Sequence, residues 1–216
     1  ATLELVFGGD VMFGRYQRAG LLPLRADEVD VWKYTRHLLD SDLTMVNLET
    51  PILRRPPRRA AHGTRNRFVA TPRRVATLVG ANIDAVTLAN NHAYDMHLPG
   101  VEQTPSVLDE LGLRHVGAHR AEAPALRAET LEVAGWRIGF VPVTQIRNLR
   151  ARDGEPALPY ATEAELGPAI AEVVRGARAD HDLVIVTVHW GPEYVRTPQP
   201  WMVAAARAWI DAGADA

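Results

Sequence analysis

Cysteine is absent from this chain of 216 residues, which removes disulfides, thiolate metal sites and cysteine nucleophiles from consideration. That absence chooses no compartment, because a cysteine-free chain suits reducing and oxidising surroundings alike. Lysine is nearly missing as well: Lys33 stands alone among 24 lysines and arginines, a bias that reads as genomic rather than functional. No run approaches the roughly 20 apolar residues of a membrane-crossing helix. No leader is visible either, since a strand-like run begins at Leu3. Charge of one sign is not in excess: the formal net charge is -2, with 23% charged residues and a mean hydropathy of -0.13. Such a balance calls for neither nucleic acid nor an anionic membrane as partner. No repeat of fixed period is present.

What is there is an alternation of strands and helices. Residues 3–7 form a β-prone run ending in Gly8-Gly9, read as a strand followed by a tight loop. Residues 29–39 space Val29, Trp32, Leu38 and Leu39 close to helical periodicity. Apolar runs at 43–48 and 84–88 predict strands, and Pro72 opens a helix to residue 79. A helix over 101–111 follows, then two β runs, 130–133 and 136–143, joined by Ala134-Gly135 as a hairpin. Residues 144–159 read as irregular. A helix over 163–178, a continuous apolar strand over 182–188 and a helix over 198–212 complete the chain. The pattern predicts one layered α/β domain over residues 1–216, with a mixed β-sheet core flanked by helices. At this length about 70% of the unfolded chain's surface can be buried.

The residues with chemistry sit where predicted strands end. Asp10 follows the first run, Asn47 and Glu49 close the second, Asn90-Asn91-His92 and Asp95 follow the third, and His189-Trp190-Gly191 with Glu193 follows the last. Ligands of open α/β sheets bind outside the carboxyl ends of strands. Taken singly, Asp10 suits a turn, Glu49 a solvated loop, and His92 or His189 a hydrogen-bonded loop histidine. Their recurrence at four strand ends points instead to one site. Carboxylate, amide oxygen and imidazole together suit manganese, zinc or iron, and a bridging carboxylate can hold two such ions.

The segments GDVMFGR (9–15), NLETPI (47–52), FVATP (68–72), LANNHAYD (88–95), GVEQT (100–104), HVGAHR (115–120), HWGPEY (189–194) and IDAGADA (210–216) resemble the CapA family of capsule and poly-gamma-glutamate synthesis. That family's fold is similar to the calcineurin-like metallophosphoesterases. The resemblance implies that Asp10, Glu49, Asn91 and His189 hold a divalent metal pair, with Glu49 bridging. It implies that His92 faces a leaving group, that Asp95 and Glu193 orient imidazoles or water, and that Asn47 supports the ligands. Met12 departs from the pattern, standing where those enzymes carry the histidine of Asp-x-His, and Met96-His97 replaces an aromatic-Gly pair. His97 reads more simply as a loop histidine. Family members continue past the GAD segment into Gly-x-His-Pro-His, so the resemblance implies a ligand set incomplete within 1–216, with an open sheet position for a further strand.

Six arginines between residues 54 and 67, Arg65 and Arg67 among them, form either a solvated loop or a funnel for an anionic substrate. Arg15 has two readings, a partner for substrate or for Glu49. Trp190 and Tyr194 line the pocket or pack behind their loop, while Trp201 and Trp209 share one helical face as core. Two functions follow. One is a metal-dependent, phosphoesterase-like hydrolase using a metal-activated water on a small anionic or polymeric substrate, associated with capsule-synthesis partners. The other is a non-catalytic accessory subunit binding an anionic polymer such as polyglutamate. The compartment stays open between the cytoplasm and the outer face of the cell envelope.

Overall fold

The computed structural model describes residues 2–17, 20–23, 30–57, 67–117, 126–149 and 158–216. In chain order the strands are β1 (Leu5–Val11), β2 (Gly14–Gln17), β3 (Gly20–Pro23), β4 (Leu43–Leu48), β5 (Ala85–Thr87), β6 (Arg114–Val116), β7 (Glu129–Val133), β8 (Trp136–Thr144) and β9 (Leu183–His189). The α-helices are α1 (Pro72–Val75), α2 (His97–Glu110), α3 (Glu163–Ala177) and α4 (Pro200–Asp211).

The expected layered α/β architecture is present, but its strands divide into two main sheets rather than one. The first, in the order β1-β4-β5-β6, is parallel throughout; the second, β7-β8-β9, is mixed. The small β2–β3 ribbon is separate. Strand alternation then sorts side chains into layers. Leu43 and Met45 of β4, Ala85 of β5, Ile138 and Phe140 of β8 and Ile185 of β9 meet in the core between the sheets. The alternate residues point outward. Val46, Leu48 and Val86 pack with Val107 and Leu108 of α2 on one side. Val141, Val143 and Val184 pack with Leu166 and Ile170 of α3 and Trp209 of α4 on the other. Each fully buried aliphatic side chain of this kind contributes about 1.5–3 kcal/mol. Glu165 accepts the Thr162 N–H at 2.9 Å, which starts α3.

Three expectations are corrected. Gly8-Gly9 does not end the first strand: β1 runs on through Asp10 with a register irregularity between Phe7 and Asp10. Of residues 30–39, none is α-helical. They form turns and one 3-10 turn at Arg36–Leu38, with Trp32 and Leu39 on the core and Leu38 62% exposed. The helix opened by Pro72 lasts only to Val75 before breaking into turns. The β6 strand, three residues carrying Arg and His, has no periodic signal in the sequence. At the chain's end, Asp215 N–H donates to Val184 O (2.8 Å) and Val186 N–H to Ala216 O (2.9 Å), alongside β9.

Candidate metal centre

The site lies where the inter-sheet core changes from apolar to polar. Along β4 the inward positions run Leu43, Met45, Asn47; along β9 they run Leu183, Ile185, Thr187, His189. Two-residue alternation therefore brings Asn47 and His189 to the same space. By the same count Asp10 belongs to the opposite face from Phe7. The extra residue in β1 changes that: Phe7 pairs Met45, but Asp10 pairs Asn47, so three steps on β1 match two on β4. The bulge re-aims Asp10 inward and leaves Val11 against the outer core. Gly8 is required there, because a Cβ on it would lie 2.8 Å from Val46 Cγ1, whereas one on Gly9 would meet nothing within 4 Å. Glu49 is fixed just past β4 by its N–H donating to Val11 O at 3.0 Å.

These elements gather Asp10, Glu49 and His189, whose ligand atoms all lie within 4.8 Å of one another. Glu49 Oε1 is 3.6 Å from His189 Nε2 and 3.8 Å from His92 Nε2, so the carboxylate stands between two imidazoles. Asn47 Nδ2 donates to Asp10 Oδ1 at 2.7 Å and lies 3.2 Å from His189 Nδ1. The neighbouring His189 imidazole, and after it the Asn47 bond, hold the Asp10 carboxyl below its usual range against the opposing effect of burial. At 3.7 Å from Asp10 Oδ1, His189 acts there through proximity rather than through a formed hydrogen bond. Glu49 moves the other way: burial first, then the Asp10 charge, raises its carboxyl above the ordinary value. A groove of about 380 Å³ leads from Asp10 and His189 along the inner face to Ile185 and Ala216.

A second group adjoins Glu49. His92 Nδ1 donates to Asp95 Oδ2 at 2.6 Å, and the same oxygen accepts the Phe68 N–H at 2.6 Å. Phe68 stacks on the His92 ring with centroids 3.7 Å apart and planes inclined by 15°. His92 is thus clamped, with Nε2 turned toward Glu49. Arg67 Nη1 donates to Asp95 O (3.3 Å) and contacts His97 Nε2 (3.0 Å), which places His97 at the site's margin as the first residue of α2 rather than in a loop. Asn91 Nδ2 donates to Asn148 Oδ1 at 3.3 Å, while its Oδ1 is buried and without a hydrogen-bond partner among the described residues. A buried orphan amide oxygen in the residue before His92 adds to the carboxylate and imidazole donors a type that suits a hard or borderline cation.

Other expected site residues stand further off. Trp190 packs behind its loop, stacked on Trp209 (5.2 Å) and edge-on to Trp201 (5.6 Å). Tyr194 is 99% exposed. Glu193 is exposed and bonds no imidazole among the described residues; Asp95 serves His92, and Asn47 serves His189. Arg15 bridges Phe68 through the backbone, next to the His92 clamp. Arg54 pairs with Glu110 on the surface, and Arg65 lies outside the described residues. Asn90, Phe68 and Asn148 are contributors to which the sequence alone assigns no role. Asn90 and Phe68 fall inside the motifs named above, whereas Asn148 carries no signal at all.

Residues 4–216 match the family described as "Bacterial capsule synthesis protein PGA_cap". The chain belongs to this family. It is 27% identical over 216 residues to the capsule biosynthesis protein CapA of Bacillus anthracis, covering 99% of this chain and 52% of that protein. It is 28% identical to the PGA biosynthesis protein CapA of Bacillus subtilis, covering 99% and 56%. A probable polyglutamine synthesis accessory protein of Mycobacterium tuberculosis is 26% identical, covering 99% and 67%. The chain therefore spans about half the length of the two Bacillus relatives. Among solved structures, a 5'-nucleotidase precursor from Thermus thermophilus aligns over 87% of this chain and 37% of that one, with TM-score 0.46 and 16% identity. A hypothetical protein from the same organism aligns over 91% and 72%, with TM-score 0.42 and 20% identity. Neither structural likeness carries functional weight. No helix among the described residues is long and apolar enough to cross a membrane.

Proposed function

We propose that this chain carries the metal centre of a hydrolase acting in capsule or poly-gamma-glutamate synthesis, with a phosphoester-like bond as its target. The observation that carries this reading is the convergence of Asp10, Glu49 and His189 donors within 4.8 Å. A bound divalent ion, or a pair drawn from manganese, zinc or iron, would supply Lewis acidity and a water acidic enough to attack at neutral pH. Asp10, Glu49 and His189 would hold it, with Asn91 Oδ1 as the further oxygen donor. Glu49, placed between the two imidazoles, is the candidate bridge. His92 presents Nε2 to the cleft and can give a proton to a leaving group, while Asp95 keeps the ring oriented. Arg15 and Arg67 lie beside this clamp and suit an anionic substrate.

The test is hydrolysis of an aryl phosphate by the metal-stripped chain with and without added manganese. Turnover that needs manganese and disappears in Asp10→Asn supports the reading. Manganese binding without turnover removes the hydrolase. A second reading, an accessory module that binds an anionic polymer without turnover, is favoured by the name of the Mycobacterium relative. Polyglutamate binding that survives in a Glu49→Gln variant lacking metal would support that alternative.

A further inference from the structure

His97, the first residue of α2, has a positive φ of 52°. That left-handed backbone is unfavourable for any residue with a Cβ. His97 is exposed, so burial of its ring does not offset the cost. Among the described residues the one polar partner of that ring is Arg67, whose Nη1 lies 3.0 Å from His97 Nε2. A guanidinium only donates, so Nε2 is the acceptor. The other Nη1 hydrogen goes to the Asp95 main-chain carbonyl at 3.3 Å. With Nη1 spent on these two acceptors, the N–H groups of Nε and Nη2 have no partner among the described residues. Arg67 forms no ion pair with a carboxylate among those residues either, although Asp95 is adjacent, because the Asp95 Oδ2 is taken by His92 and Phe68. Nε–H and one Nη2–H run parallel along one edge of a guanidinium, a fork that matches two oxygens of a single carboxylate or phosphate group.

We propose that His97 is a positioning residue for Arg67: it accepts from Nη1, at the cost of a strained backbone, and so leaves the Nε–Nη2 edge to bind one oxyanion of the substrate. The inference rests on the anionic-substrate reading of Arg67 given above and adds the atoms and the support that reading needs. A long, flexible side chain loses rotamer freedom when it takes hold of a ligand, and a residue that fixes it beforehand removes that loss from binding. Asp95 O and His97 Nε2 together fix the guanidinium at its Nη1 corner. Arg67 immediately precedes Phe68, whose ring stacks on His92, so the fixed guanidinium belongs to the same clamp as the candidate proton donor.

The test is titration of the 15N-labelled, metal-free chain with inorganic phosphate and, separately, with glutarate, read at the arginine Nε–H resonances. The Arg67 signal is identified by its loss in Arg67→Lys. In the wild type that signal is expected to shift with at least one anion; phosphate alone assigns the edge to a phosphoryl group, glutarate alone to a carboxylate. His97→Ala is expected to raise the Kd about 2–10-fold, the loss that follows when one long side chain must be ordered on binding. His97→Gln, which returns an acceptor at the place of Nε2, is expected to restore the wild-type Kd. His97→Gly is expected to bind as weakly as His97→Ala yet to melt about 2–4 °C higher, since glycine adopts the backbone without strain. An Arg67 signal that moves with neither anion overturns the proposal, as does an unchanged Kd in His97→Ala or a His97→Gln variant no better than His97→Ala. Equal melting temperatures for His97→Gly and His97→Ala overturn the strained placement. Because these titrations contain no metal, they stand apart from the manganese assay. A chain that binds the anion at Arg67 but shows no manganese-dependent turnover loses the hydrolase reading and keeps this one.

Discussion

Replacing Glu49 by Gln should strengthen the metal-free chain and weaken the metal-loaded one. The Glu49 side chain is 16% exposed, and its ligand oxygen lies within 4.8 Å of that of Asp10. Two unit charges at that separation repel by about 1 kcal/mol in water-like surroundings and by about 3.5 kcal/mol at an effective dielectric of 20. Asp10 is 54% exposed, so the lower half of that range applies, and a gain of about 1–2 kcal/mol is expected. For a chain of this size that is a rise of about 2–8 °C in Tm. The sign follows from the carboxyl being raised by burial and by Asp10. The folded chain holds this proton more tightly than the unfolded one, so stability falls as pH rises through that range, and the deficit is fully present at neutral pH. The advantage of Glu49→Gln should therefore be larger at a pH of about 8 than near a pH of about 4. With manganese at about 100 times its Kd, the wild type gains about 2.7 kcal/mol and Glu49→Gln does not, so the ranking reverses. Thermal melts with chelator and with manganese check both arms. A variant less stable than wild type at about pH 8 without metal would refute the reasoning.

Asp95→Ala removes the acceptor of both His92 Nδ1–H and the Phe68 N–H. Loss of two bonds to a buried carboxylate should cost about 2–5 kcal/mol, read by denaturant unfolding. The Asp10 carboxyl, held low by His189 and Asn47, contributes stability above its ordinary pKa that is lost as pH falls through its folded value. In Asp10→Asn the acid limb of the stability–pH profile should be shallower. Trp190 follows His189 directly and stacks on Trp209, so manganese titration should change tryptophan fluorescence in the wild type and much less in Trp190→Phe. Gly139→Ala would put a Cβ 2.9–3.0 Å from the His181 ring and should lower stability by about 1–3 kcal/mol, with His181→Ala in the same chain recovering part of the loss.

Much of this architecture was legible because its strands are buried. The β4 run coincides with its predicted span, 43–48, since Leu43, Met45, Val46 and Leu48 are all buried and nothing charged interrupts them. The hairpin of β7 and β8 was readable from Ala134-Gly135, both at positive φ. Residues 30–39 misled for a physical reason: of the residues read as one helical face, Trp32 and Leu39 reach the core from turns, whereas Leu38 is 62% exposed. Their spacing matches a helical period, but turns rather than a helix bring two of them to the core. Partition into two sheets depends on which distant strands pair, and no local pattern in β6 or β9 states that. For the site, the strand-end carboxylates and histidines were evident in the sequence. Asn148 was not, because it reaches Asn91 from 57 residues away on an irregular segment.

The irregularity in β1 has a further consequence for how this domain tolerates change. A parallel sheet is most regular when its strands keep one phase, and deleting Gly9 would restore that phase from Phe7 onward. The same deletion would leave Asp10 inward opposite Asn47, because two steps from Phe7 would then match the two from Met45; a strand of unchanged length without the bulge would instead turn Asp10 toward the helical layer and bring Val11 inward. The bulge thus absorbs one surplus residue ahead of Asp10 and keeps the carboxylate on the site's face. Insertion of one residue beside Gly9 should do more harm to the site than to the fold unless the bulge widens to absorb it, whereas deletion of Gly9 should leave the facing of Asp10 unchanged.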